Sequence, residues 1–115
     1  MELKSIQDII STSEKNELYH NLIQQLNKDF LLANIDLKVD EFTKPSDLKM
    51  LLQKAIHELI QNRFSEYLNL LYITDLSEEK IKQLDGSNMI QLSEHVAFLI
   101  LKREWKKVWF KKNYS

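Results

Sequence analysis

The chain of 115 residues contains a single glycine, Gly86, and a single proline, Pro45. Hairpins and tight turns depend on glycine for positive φ angles and on proline for a preset turn geometry. A chain with so few turn-forming residues cannot supply the many reversals of a β-sandwich or a β-barrel. We therefore predict an all-α fold built from long helices.

The composition is that of a globular protein. Apolar residues make up 43% of the chain and charged residues 29%, far from the low hydrophobicity of disordered proteins. A chain of this length has room for one domain with one core. We expect residues 1–115 to form a single helical domain, in which residues 1–12 form either a short leading helix or a loosely docked N-terminal arm. There is no cysteine, which excludes disulfides and thiolate metal sites.

Neither a signal peptide nor a membrane span is evident in the sequence. The first residues, MELKSIQDIIS, lack a continuous apolar run, and no later stretch approaches the ~18 apolar residues that a spanning helix needs. We expect a soluble, cytoplasmic protein with no membrane contact.

Apolar residues that recur at steps of three and four predict three main helices. Ser11 and Glu14 have the spacing of a capping box at the start of the first one, and Pro45 precedes the second. Ser87 or Asn88 can cap the third helix. The three helices are predicted at about 13–32, 46–73 and 89–112.

Two smaller elements complete the predicted bundle. Ser77 as N-cap and Gly86 at the C-terminal end indicate a short helix at 78–85. Alternation of apolar and polar residues indicates an extended connector at 35–42, with apolar positions Ile35, Leu37 and Val39. The predicted fold is a small helical bundle of three main helices, one short helix and an extended connector.

The last helix carries apolar side chains on two roughly opposite sides. One stripe consists of Leu92, Val96, Leu99, Ile100, Arg103 and Phe110. The second stripe steps by three and four residues through Phe98, Leu101, Trp105 and Trp109. A helix that is apolar on two sides must be covered on both.

Two explanations for the second stripe remain open. It can form an interface, of which homodimerisation is the simplest version because two-fold self-association is common and aromatic residues are enriched at interface centres. It can equally be covered by the core and the N-terminal arm of the same chain. On the first explanation the protein is a non-catalytic interaction or scaffold protein that binds a second copy or another protein, with Phe98, Leu101, Trp105 and Trp109 as anchors.

The charge of the chain is concentrated at its C-terminal end. The net charge is −1, but residues 1–101 carry −6 and residues 102–115 carry +5. Cations near a helix C-terminus stabilise the helix dipole, which is a sufficient structural explanation. The competing function is a nucleic-acid-binding or ribosome-associated protein. Its contacts would be Lys102, Arg103, Lys106, Lys107, Lys111 and Lys112.

The sequence offers no pattern of residues for catalysis or for a cofactor. One glycine cannot build a phosphate-binding loop. His20, His57 and His95 lie on three different predicted helices. Glu17 and His20 have the spacing of one di-iron ligand pair, but the second pair that such a site needs is missing. We predict no enzymatic activity, no metal and no cofactor.

The segments LLYITDLSEEKIKQL at 70–84 and LSEHVAFLILKREWKKVWF at 92–110 resemble small bacterial proteins. Their C-terminal halves read LLY-x-x-D-x-S-E-x-x-[IL] and then LI-x-x-R-x-x-x-K. The resemblance implies an all-helical, single-domain cytoplasmic protein, and it transfers no catalytic residue to this chain.

Overall fold

A computed structural model describes residues 3–77, 79, 81 and 87–114, and these residues form five α-helices and no β-strand. The helices are α1 (Ile6–Lys15), α2 (Tyr19–Leu32), α3 (Pro45–Asn62), α4 (Phe64–Ile73) and α5 (Met89–Tyr114). The predicted all-α fold is confirmed. The radius of gyration is 13.4 Å, in line with the ~13 Å expected for a compact chain of this length.

The N-terminal segment, for which the sequence left a short helix or a loosely docked arm open, forms α1. The Ser5 hydroxyl accepts a hydrogen bond from the Asp8 amide at 3.1 Å, and the Asp8 carboxylate accepts one from the Lys4 amide at 3.0 Å. These bonds satisfy amides that have no partner inside the first turn. Ile6 and Ile9 of α1 are buried in the core, so the segment is integrated into the bundle.

The helix predicted at 13–32 begins later than expected, because α1 ends inside that range. Ser11 and Glu14 lie within α1 and do not cap the next helix. The chain reverses at Glu17, whose φ is 58°, and the Leu18 amide donates to the Ser13 carbonyl at 2.8 Å. This pair of features is a Schellman motif, in which a left-handed residue terminates a helix.

The same motif ends α2 and α4, again without glycine. Asn34 has a φ of 65° and Asp75 a φ of 62°. In each case the amide of the following residue donates a hydrogen bond to a carbonyl five residues earlier. The amide of Ile35 donates to the Phe30 carbonyl, and the amide of Leu76 donates to the Leu71 carbonyl. Glycine is the usual residue at such positions, and its absence hides helix ends from a sequence reading.

The predicted helix at 46–73 is divided into α3 and α4 at Arg63. Arg63 has φ −141° and ψ 58°, values outside the helical region. Its amide still donates to the Leu59 carbonyl at 3.0 Å, and its carbonyl accepts from the Tyr67 amide at 3.1 Å. Both backbone groups of Arg63 therefore keep hydrogen-bond partners although the residue itself is not helical.

The connector at 35–42 contains neither helix nor strand, and α2 holds it in place. The Asn27 side chain donates to the Val39 carbonyl at 2.8 Å and accepts from the Val39 amide at 2.7 Å. Ile35 and Val39 are buried, while Asp36 between them is exposed. The alternation seen in the sequence thus corresponds to burial of one side of the connector.

The predicted short helix at 78–85 lies mostly outside the described residues. The last helix matches its prediction more closely, because α5 begins at Met89 and extends two residues beyond 112. The Asn88 side chain caps it by accepting from the amides of Ile90 and Gln91 at 3.0 and 3.1 Å.

The longest helix, α5, is the central element of the bundle and packs against α1, α2 and α3. Val96, Ala97, Ile100 and Leu101 of this helix are fully buried. They contact a common core whose largest members include Ile10, Leu22, Phe30, Leu52 and Ile56. The C-terminal end of α5 extends to the surface, and it carries the candidate site.

Candidate functional site

The four predicted interface residues divide between the core and the surface. Leu101 and Trp105 are buried in the chain's own core, Phe98 is partly buried, and Trp109 is 43% exposed. Leu101 and Trp105 are covered by the same chain, on a helix against which α1 packs. For these two residues the structure matches the second explanation, in which the monomer covers the second stripe.

Beyond Trp105, α5 presents a surface rich in aromatic and cationic side chains, which we call the C-terminal surface. Phe110 is 64% exposed and Tyr114 is 74% exposed, and their ring centroids are 4.6 Å apart. The Trp109 ring lies 5.9 Å from that of buried Trp105. The C-terminal surface consists of Lys106, Trp109, Phe110, Lys111, Lys112 and Tyr114.

The six predicted nucleic-acid contacts do not act as one group. Arg103 donates to the Thr74 carbonyl at 3.2 Å and pairs with the Asp75 carboxylate at 3.4 Å. Lys102 places its ammonium 5.7 Å from the centre of the Phe98 ring, a cation–π distance. Exposed lysines remain on the C-terminal surface: Lys106, Lys111 and Lys112.

Lys107 connects three helices beneath this surface. Its ammonium lies 2.6 Å from the Asp29 carboxylate of α2 and 3.1 Å from the Ile73 carbonyl at the end of α4. Arg103 donates a hydrogen bond to the carbonyl of Thr74, the residue that follows Ile73. Cations at a helix C-terminus stabilise its dipole, so both residues fasten α5 to the end of α4.

Lys107 belongs to a buried polar cluster, which consists of Gln25, Asp29, Glu104 and Lys107. Asp29 and Glu104 are almost completely buried, and the Gln25 side chain donates to Asp29 at 3.1 Å. Neither Glu104 carboxyl oxygen accepts a hydrogen bond from a described residue. A buried carboxylate without donors would be very costly, so Glu104 is expected to be protonated.

Burial raises the pKa of Glu104 to about 10, and the hydrogen bond and negative charge of Asp29 add to the rise. The pKa of Asp29 moves the opposite way. Burial alone would raise it, but hydrogen bonds from Glu104 and Lys107 outweigh that effect and lower it. At neutral pH the cluster therefore holds one carboxylate, one neutral acid and one ammonium, with no net charge.

Sequence reasoning missed Asp29 and Glu104. A signal was present for Glu104, which lies four residues after Ile100 and four before Val108, in the middle of a buried stripe. An acid at a core position is buried only when paired or neutral. Asp29 likewise lies three residues after Leu26 on the buried side of α2. The partner of each acid could not be identified from spacing within one helix.

A groove about 770 Å³ in volume runs between α2 and α5, above the buried polar cluster; we call it the α2–α5 groove. Gln25 and Lys107 belong both to the cluster and to this groove. No acidic side chain among the described residues lines it. The lining residues are Gln25, Lys28, Arg103, Lys106, Lys107, Trp109, Phe110, Lys111 and Tyr114.

The α2–α5 groove continues into a second depression along the same two helices. The two share Gln25, Lys28 and Lys111. Asn21 and Gln24 of α2 line the second depression, and Lys112 of α5 faces them. The seam between α2 and α5 therefore combines cations, amides and exposed aromatic rings.

The described residues contain no group of three or more His, Cys, Asp or Glu side chains placed to hold a metal ion. His20 lies beside two aromatic rings, those of Tyr19 and Phe42, at centroid distances of 6.2 and 6.3 Å. Glu17 sits in the turn before α2, so it does not share a helical face with His20. None of the described helices is both long enough and apolar enough to cross a membrane.

Comparisons with protein families, curated proteins and solved structures give no significant match to this chain. The resemblance of residues 70–84 and 92–110 to small bacterial proteins therefore stays a prediction.

Proposed function

We propose that this protein is a non-catalytic interaction protein, and that its C-terminal surface binds an anionic macromolecular partner. The observation that carries the proposal is the exposure of Trp109, Phe110 and Tyr114 on one end of one helix. Large exposed aromatic side chains grouped in this way are characteristic of binding surfaces. The lysines among these aromatic side chains make the surface positively charged, so a complementary partner carries negative charge.

A rigid support favours binding at this position. Leu101 and Trp105 anchor the preceding turns of α5 in the core, and Lys107 fastens the helix to α2 and α4. A preorganised surface loses little conformational entropy when it binds. The aromatic side chains are therefore presented on a fixed scaffold.

Self-association is the second candidate, and the distribution of charge restricts its form. A symmetric dimer through the C-terminal surface would bring the lysines of both copies together, and like charges in an interface are unfavourable. Residues 1–101 carry a net charge of −6. A second copy can therefore act as the anionic partner if the C-terminal surface contacts this acidic part. Trp109 would then be the main anchor among the residues predicted from sequence, with Phe98 at its edge.

Binding to two polyanions of different chemistry tests the main proposal. The wild-type chain is expected to bind both polyglutamate and polyuridylate at low salt, with affinity that falls as salt increases. A variant with Lys106, Lys111 and Lys112 changed to Gln should lose most of this binding. Matched changes at Lys38, Lys49 and Lys54, on the connector and α3, should have little effect. Failure to bind either polymer would contradict the proposal.

Light scattering over a range of protein concentrations tests self-association separately. A mass that rises with concentration, and that returns to the monomer value in Trp109→Ala, supports it. A constant monomer mass excludes it and leaves the binding of other anionic partners open.

A further inference from the structure

We propose that the partner is single-stranded nucleic acid, and that the strand lies in the α2–α5 groove with its phosphates against the lysines and its bases stacked on exposed aromatic rings. This inference rests on the proposed function, in which the C-terminal surface binds an anionic macromolecule. It goes further by naming the chemical class of that partner and the path along which it binds.

The electrostatics of the groove fit a phosphate backbone. Among the described residues, five cations and no acidic side chain line it; the cations are Lys28, Arg103, Lys106, Lys107 and Lys111. Within the described part of the chain, Lys28 and Lys106 form no ion pair. Their charges are available to an anion that enters the groove.

The buried polar cluster preserves this positive potential. If Glu104 were ionised, two carboxylates would lie beneath the groove and would cancel much of the attraction for phosphate. Burial raises the pKa of Glu104 and so favours its neutral form, which leaves Asp29 as the charged acid, and the Lys107 ammonium lies 2.6 Å from the Asp29 carboxylate. Lys28 and Lys106 in the groove above therefore face no net negative charge from this cluster.

The aromatic side chains distinguish nucleic acid from other polyanions. Trp109, Phe110 and Tyr114 all line the groove and are all exposed. Unpaired bases stack on such rings regardless of sequence, and alternation of cations with aromatic platforms is typical of single-strand binding. An acidic polypeptide would use the lysines but has no planar base for the rings.

Amide side chains along α2 add groups that can pair with base edges. Asn21 and Gln24 are exposed and line the depression that adjoins the groove, whereas Gln25 is buried and its amide is bonded to Asp29. An amide both donates and accepts hydrogen bonds, which matches the mixed edges of unpaired bases. The bases of a duplex already stack on one another, so single strands fit this arrangement better.

The strand would run roughly along α5. From Arg103 to Tyr114 the helix advances about 16 Å at its usual rise, so an oligonucleotide of about ten nucleotides exceeds the site and falls within the range bound by single-strand modules. The test uses such an oligomer of deoxythymidine with a fluorescent label, and measures its anisotropy on titration with the full chain. Polyphosphate and polyglutamate serve as unlabelled competitors without bases.

The expected result is binding at low salt that unlabelled oligonucleotide displaces far better than polyphosphate at equal charge. Trp109→Ala should weaken binding by about tenfold, as expected for the loss of one stacking platform. Phe42→Ala, which removes an exposed ring on the connector, should leave binding unchanged. Lys106→Gln should reduce the dependence of log affinity on log salt by about 0.7, whereas Lys54→Gln should not change it.

The outcomes separate the two proposals. If polyphosphate or polyglutamate competes as well as the oligonucleotide and Trp109→Ala binds normally, the nucleic-acid inference is overturned while the binding of anionic partners stands. Preference for a duplex over the single strand also overturns it. If no polyanion binds at all, the proposed function fails together with the inference. Circular dichroism confirms that each variant is folded, and the exposed positions of the substituted side chains favour that result.

Discussion

Asp29 and Lys107 are 78 positions apart in the sequence, and their side chains meet at 2.6 Å between α2 and α5. Asp29 is almost fully buried, whereas the Lys107 side chain is 24% exposed at the base of the α2–α5 groove. The ion pair thus joins the hydrophobic core to the proposed binding site, and it leads to two of the predictions below.

Stability should fall as the pH rises because Glu104 must stay protonated in the folded chain. Burial raises its pKa from 4.5 to about 10, so between these pH values the folded state binds more protons than the unfolded state. The free energy of unfolding should therefore fall by up to about 1.4 kcal/mol for each pH unit. Asp29 acts oppositely, with a lowered pKa and a contribution that is lost only in acid. Urea unfolding between pH 5 and pH 9 measures the slope. In Glu104→Gln, whose amide can still donate to Asp29, the slope should be shallower; equal slopes would contradict the protonation of Glu104.

Loss of Lys107 should destabilise the protein far more than loss of its neighbour. Lys107→Met leaves the Asp29 carboxylate buried without its main charge partner, which costs about 3–5 kcal/mol in comparable cases. Lys106 is exposed, so Lys106→Met should change the free energy of unfolding by less than about 0.5 kcal/mol. The double variant with Asp29→Asn and Lys107→Met, which removes both charges of the ion pair, should recover part of the lost free energy of unfolding. Similar stabilities for the two single variants would show that the ion pair is not formed.

The two residues Leu101 and Trp109, both predicted as interface anchors, should behave differently on truncation. Leu101→Ala creates a cavity in the core and should cost about 2–5 kcal/mol. Trp109 is 43% exposed and its ring contacts that of Trp105, so Trp109→Ala should cost less, about 0.5–1.5 kcal/mol. Urea unfolding at two protein concentrations checks both values. A concentration-dependent effect of Leu101→Ala would point to burial by a second chain instead of by this one.

The connector should depend on one side chain of α2. Asn27→Ala removes the partner of both the amide and the carbonyl of Val39, and buried backbone groups left without partners cost about 1–3 kcal/mol. Asn21→Ala on the exposed side of the same helix provides the control and should be nearly neutral. Thermal unfolding of the two variants compares them. Equal midpoints would mean that the connector is not held through Asn27.

Glycine should be preferred at the end of α1. Glu17 has a φ of 58°, a conformation that costs a residue with a Cβ about 1 kcal/mol or more, and Glu17→Gly should therefore raise the free energy of unfolding by up to about 1 kcal/mol. The preceding Asn16 has a φ of −93°. Asn16→Gly should be destabilising because it adds freedom to the unfolded chain and removes the hydrogen bond from the Asn16 side chain to the Thr12 carbonyl. A loss of stability in both variants would argue against the left-handed turn.

The class of fold and the approximate position of the last helix were predictable from local sequence patterns. Steps of three and four residues and the scarcity of glycine determined the all-α fold and the position of α5, and the alternation of apolar and polar residues determined the buried side of the connector. Asn88 was recognisable as a cap because its bonds reach only two and three residues ahead. All of these features depend on neighbours within about one helical turn.

Only the tertiary structure decided where helices break and which charges meet. The turn at Glu17 and the break at Arg63 involve residues with no intrinsic preference for those conformations, so the packing of the flanking helices imposes them. The nearness of Asp29, Glu104 and Lys107 depends on α2 lying beside α5. The packing of the bundle around α5, with α1 among the helices that contact it, also made Leu101 and Trp105 core residues and left Trp109 partly exposed. Periodicity identifies the side of a helix that must be covered, but what covers it depends on contacts between residues far apart in the chain.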